Sequence, residues 1–97
     1  MRAVVEGVRT HCSTPDLPFL CGGFTDEWSK DYREACDAVI SAQKQICNDV
    51  GYASFTETVG LLSNNQAVQN GDTIHFCKAA VYEIGRRYFE QYCRITK

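Results

Sequence analysis

The chain has 97 residues, a mass of 10.9 kDa and a formal charge of −2, with 44% hydrophobic and 23% charged residues. That length holds one core, so residues 1–97 read as a single domain, and the hydrophobic content excludes a disordered tail. No stretch approaches the length of an apolar membrane span, and the acidic balance argues against binding nucleic acid through counterion release.

In chain order, residues 3–10 have the β-branched content of a strand, with Val4, Glu6 and Val8 in partial alternation. Residues 11–25 contain Pro15, Pro18 and Gly22-Gly23, which predicts a long loop. Thr25-Asp26-Glu27 supplies a capping hydroxyl and two acids at a helix start. Apolar residues then recur at Trp28, Tyr32, Cys36, Val39, Ile40, Ile46, Cys47 and Val50, and Gly51 stops the run. The spacing predicts one long amphipathic helix. From Tyr52 to Leu62 the composition favours a strand, and Asn70-Gly71 is the dipeptide of a type I′ turn, so a β-hairpin is expected between residues 53 and 77. Cys77, Ala80, Val81, Ile84 and Tyr88 share a helical face beside a second stripe of Tyr82, Phe89 and Cys93. So wide an apolar arc predicts a largely buried closing helix, with a short strand at residues 93–96. The order β-α-β-β-α-β most economically makes an α+β fold, a small antiparallel sheet with two helices packed on one face.

Six cysteines, Cys12, Cys21, Cys36, Cys47, Cys77 and Cys93, form no Cys-x-x-Cys pair and share no ligand spacing with His11 or His75. They therefore read as three disulfides rather than a metal site, which implies an oxidising, extracellular compartment. The N-terminus lacks an apolar signal segment, so the sequence reads as a mature secreted form. Cys36 and Cys47 stand about 16 Å apart along one helix, too far to bond, and Cys77 and Cys93 are separated likewise. Each forbidden pair occurs in three of the fifteen connectivities of six cysteines and both occur together in one, which leaves ten. Among these, Cys12–Cys21, Cys36–Cys93 and Cys47–Cys77 is the arrangement favoured if the helices run antiparallel.

The acids Asp26, Glu27, Asp31, Glu34 and Asp37 read as helix-start charges and solvated face. Arg86, Arg87, Arg94 and Lys97 form a modest basic group, read as helix surface. Trp28, Tyr32, Tyr82, Tyr88, Phe89 and Tyr92 lie at helical spacing and read as core. No Gly-x-Ser-x-Gly elbow is present. An enzyme of this size would be a small secreted hydrolase such as a ribonuclease, with His11 and His75 as acid and base and an arginine as phosphate clamp.

Tyr32-Arg33-Glu34-Ala35-Cys36-Asp37-Ala38-Val39-Ile40, then Cys77-Lys78-Ala79-Ala80 opening a second helix and Tyr92-Cys93 closing it, resemble small secreted fungal cysteine-rich proteins. That group includes killer-toxin subunits and plant-pathogen effectors with a ferredoxin-like αβ plait. The resemblance implies a non-enzymatic virulence or competition factor without a cofactor. Such a protein acts on a host or competitor cell through a protein partner or membrane contact.

Overall fold

A computed structural model describes residues 1–96. The elements are α1 (Arg2–His11), β1 (Phe19–Gly22), α2 (Asp26–Asp31), α3 (Arg33–Val50), β2 (Ala53–Thr56), α4 (Asn64–Val68) and α5 (Lys78–Ile95). β1 and β2 pair in parallel, with Phe19 opposite Ala53 and Gly22 opposite Thr56. They are the only strands among the described residues.

Helix α1 replaces the strand expected at residues 3–10. Val5 and Arg9, four residues apart, are its buried positions, the helical rather than the strand period. The Arg9 guanidinium ties α1 to the entry of β1 and the end of α3. It donates to the carbonyls of Leu17, Val50, Gly51 and Tyr52 at 2.8 to 3.2 Å. Those at Val50 and Gly51 are end-of-helix carbonyls of α3, which no backbone donor in the helix can reach. β1 lies inside the segment expected to be loop. Pro18 precedes it, where its missing N–H costs no ladder bond.

The long helix expected from residue 26 is two helices. Thr25 caps α2 by accepting from the Trp28 N–H, and Tyr32, at φ −130° and ψ 36°, breaks the run before α3. Gly51 ends α3 at φ 66°, as expected.

The strand alternation places the two long helices on opposite sides of the sheet. Cys21 meets Cys47 of α3, and Gly23, two residues on, lies beside Ile40 of the same helix. Gly22, between them, faces α5: an added Cβ there would stand 2.5 Å from the Tyr88 hydroxyl. Ser54 of β2 likewise reaches Gln91 of α5. Successive strand residues point to opposite faces, so the expected antiparallel sheet with both helices on one face is overturned. The arrangement β1-α2-α3-β2 is a parallel crossover unit.

The hairpin does not form. Gly71 has φ 81°, but Asn70 lacks the positive φ that a type I′ turn demands of it. Its side chain instead accepts from the Asp72 N–H, an Asx turn. The segment before it becomes α4, started by a Ser63/Gln66 capping box. Only a single antiparallel bridge, Ser63 to Phe76, remains of the pairing. α5 continues through residues 93–95, so the expected last strand is absent.

No two cysteine sulfurs lie at bonding distance, and all six are thiols, which corrects the expectation of three disulfides. Cys12 and Cys93 are exposed, and Cys21, Cys36, Cys47 and Cys77 are buried. The favoured pairing requires α3 and α5 to lie against each other. Both pack instead on β2, one per face. The core is thin: Leu61, Cys77 and Ala80 form a cluster joined by Phe76 and Ile84.

Candidate functional site: an Asp72–His75 pair

The parallel strands deliver their carboxyl ends to one side of the molecule, the side where open α/β sheets place their chemistry. After β1 the chain turns through Gly23 and Phe24 into the buried Thr25, and after β2 through the buried Thr58. The two exits are joined. Thr58 Oγ1 donates to the Phe24 carbonyl at 2.9 Å, and the Gly60 N–H donates to Asp26 at 3.0 Å. Thr25 Oγ1 donates to the Thr73 carbonyl, which ties this edge to the loop between α4 and α5.

That loop is held closely. The Asn64 N–H donates to the His75 carbonyl, the Asn65 N–H to the Asp72 carbonyl and the Cys77 N–H to the Leu62 carbonyl. Asn65 Oδ1 accepts from the Gly71 N–H at 2.8 Å, while its Nδ2 donates to Glu27. Glu27 also accepts from the Ser63 hydroxyl at 2.7 Å. The first turn of α2 thus braces the loop through Thr25, Glu27 and Asn65.

The loop presents a carboxylate and an imidazole. Asp72 Oδ1 accepts from the N–H groups of Ile74 and His75, both at 3.1 Å, and Oδ2 accepts from Asn64 Nδ2 at 3.0 Å. His75 Nδ1 lies 3.0 Å from Oδ2. The Asn64 amide, the His75 N–H and then the imidazole hold the Asp72 carboxyl below the usual carboxylate range, at about 2. It is an anion at neutral pH. The His75 side chain is 77% exposed against 28% for Asp72. With Nδ1–H directed to the carboxylate, Nε2 faces solvent as a proton acceptor.

The structure separates the other sequence-derived candidates. His11 ends α1 and makes no hydrogen bond with His75. Asp26 and Glu27, read as simple helix-start charges, support the loops. Arg86 pairs with Glu83 and Glu90, while Arg87 pairs with Glu83 and donates to the carbonyls of Glu57 and Val59. Lys97 lies outside the described residues. Tyr32, Tyr82, Phe89 and Tyr92 are exposed, not core, and Ala80 is the one buried residue of α5, so the closing helix is not the largely buried one expected. The signal that sequence reasoning misses is the Asp-x-x-His spacing of Asp72 and His75. Their i,i+3 separation needs only one turn to bring them together.

Among the described residues, no cluster of three His, Cys, Asp or Glu side chains is arranged to hold a metal ion. None of the described helices is long and apolar enough to cross a membrane. Comparison with known families, curated proteins and solved structures finds no match.

Proposed function

We propose that this chain carries the acid–base pair of a carboxylic-ester hydrolase, with His75 as the proton-transfer group and Asp72 as the group that orients it. The observation that carries the reading is the 3.0 Å contact between His75 Nδ1 and an Asp72 carboxylate already fixed by three other donors. A base oriented by a third group is the recurring arrangement behind an activated nucleophile. Nε2 takes the proton of an attacking hydroxyl as the bond to the ester carbonyl forms. The imidazolium, stabilised by Asp72, then returns that proton to the departing alkoxide.

The surroundings favour a neutral ester over a phosphodiester. The charged groups around His75 are acidic, Asp72 in contact and Glu27 behind Asn65. No Lys or Arg among the described residues hydrogen-bonds within this cluster, whereas phosphoryl chemistry needs a cationic clamp. Nor does any described Ser, Thr or Cys side chain hydrogen-bond the imidazole. The attacking hydroxyl is therefore water.

The test is hydrolysis of p-nitrophenyl acetate by the wild-type chain and by His75→Gln. A rate that is lost in the variant supports the reading, with His11→Gln unchanged. Equal rates in wild type and His75→Gln overturn it.

A second reading, a secreted effector-like interaction protein, is favoured by one observation. Tyr82, Phe89 and Tyr92 are 71, 66 and 45% exposed on one side of α5, a concentration of aromatics that suits a protein contact. Loss of a cell-level effect on Phe89→Glu, with His75→Gln unaffected, would select it.

A further inference from the structure

We propose that Cys21 and Cys47 are a redox couple that closes reversibly into a disulfide between β1 and α3. This couple is not among the three crosslinks favoured on sequence grounds, and it is independent of the hydrolase reading. Their sulfurs stand 3.7 Å apart, both residues are 9% exposed, and twenty-six positions separate them in the chain. A disulfide bond is about 2.0 Å long, so the two sulfurs need to approach by about 1.7 Å to bond.

The two sulfurs have different surroundings. Cys47 lines a concavity of about 350 Å³ together with Lys44, Asn48, Ser54, Phe55 and Glu57. Lys44 Nζ stands 3.2 Å from Glu57 and 5.0 Å from the centre of the Phe55 ring. A small disulfide such as oxidised glutathione reaches Cys47 through this concavity. Cys21 does not line this concavity; its thiol donates toward the Ser54 carbonyl, and burial reinforced by contact with Cys47 pushes it up to about 12. Because Cys47, and not Cys21, lines the concavity, it is the sulfur that reacts first and Cys21 the one that resolves.

The Cys47 thiolate attacks one sulfur of oxidised glutathione, a bond forms between them, and the glutathione S–S bond breaks with one glutathione thiolate leaving. Cys21, giving its proton to solvent, then attacks the Cys47 sulfur and displaces the second glutathione thiolate. Two protein thiols are oxidised, one glutathione disulfide is reduced to two thiols, and the two protons end on them.

The experiment is incubation of the wild-type chain with oxidised glutathione, alkylation of the remaining thiols, digestion without reductant and mass mapping. The expected product is a linked peptide pair carrying Cys21 and Cys47, lighter by two hydrogens and reopened by dithiothreitol. Cys21→Ala should then accumulate a glutathione adduct on Cys47, whereas Cys47→Ala should leave Cys21 without one. Alkylation of both residues in the oxidised wild type, or a link from either to a different cysteine, would overturn the couple. An adduct on Cys21 in Cys47→Ala would overturn the order of attack.

Discussion

Thr25 donates its hydroxyl to the carbonyl of Thr73, so the residue that starts α2 also holds the loop that carries His75. Thr25 is fully buried, and its oxygen accepts from the Trp28 N–H at the same time. Thr25→Val removes both bonds at nearly constant volume. The cap alone is worth about 1 kcal/mol, and the stranded Thr73 carbonyl adds about 1 to 3 kcal/mol. Thermal unfolding should report the loss of stability. A moved His75 imidazole resonance should report the loop, and an unchanged one would show that the loop is placed without Thr25.

Asp72→Asn keeps the shape of the side chain but removes the anion that directs His75 Nδ1. An amide can present its NH2 to Nδ1 and so favour the wrong tautomer. On the proposed reaction, ester hydrolysis should fall by about 10³- to 10⁴-fold, while thermal stability changes far less. A fall in stability with the rate retained would make Asp72 a loop anchor only.

Acid should act on the same loop and on α5. Asp72 titrates at about 2 instead of 3.8. Glu83, bonded by Arg86 and Arg87, titrates at about 2 instead of 4.5. Both groups are lowered on folding, so their stabilising effect is complete above the ordinary values and is lost as pH falls from about 4.5 toward 2. Melting temperature should decline through that window. In Asp72→Asn and Glu83→Gln the decline should be shallower, and an identical slope in both variants would remove these carboxylates as its source.

Arg9 gathers four carbonyls from residues 17, 50, 51 and 52. A hydrogen bond to a charged donor contributes about 1.5 to 3 kcal/mol, and less at carbonyls that, as here, are only part-buried. Arg9→Lys keeps the charge but lacks the planar fork that spans these positions. It should lose nearly as much stability in urea as Arg9→Ala. Wild-type stability for Arg9→Lys would show that charge near the end of α3 suffices.

Gly22 lies where β1 passes under Tyr88. A Cβ there would meet the Tyr88 hydroxyl at 2.5 Å and the Thr56 carbonyl at 3.4 Å. Gly22→Ala should cost about 1 to 3 kcal/mol by overpacking, and Tyr88→Phe in the same chain should recover part of it. Absence of recovery would place the strain at the Thr56 backbone.

The legible parts of the sequence are those that one period or one cap decides. Thr25, Gly51 and the buried pair Cys36 and Cys47 obey helix rules, and the apolar stripe from Cys77 locates α5, which starts at Lys78. α1 is not legible, because Val4, Val5 and Val8 weigh toward a strand while tertiary burial of Val5 and Arg9 decides for a helix. β1 is hidden between Pro18 and Gly22-Gly23, each of which signals a loop alone, whereas here Pro18 precedes the strand and the glycines allow close approach of Tyr88 and Thr58. At the site, His75 is visible as a candidate, but its sequence-derived partner, His11, is the wrong one. Asp72 looks like an ordinary turn residue beside Asn70-Gly71. Only the turn's actual geometry brings that aspartate against the imidazole. The cysteine count points to crosslinked architecture, yet Cys21 and Cys47 meet only where strand and helix happen to cross.

The parallel register of the two strands also governs the order in which the chain assembles. Phe19 pairs with Ala53 and Cys21 with Phe55, so no tight turn can zip the sheet from one end. The intervening segment must close a long loop before the first ladder bond is gained, and such non-local pairing slows folding. α3 shortens that search by forming locally and carrying β2 back along its length. Helical signal should therefore appear in the refolding trace before the strands lock. Substitutions inside α3 should slow folding, whereas those on β1 should mainly speed unfolding.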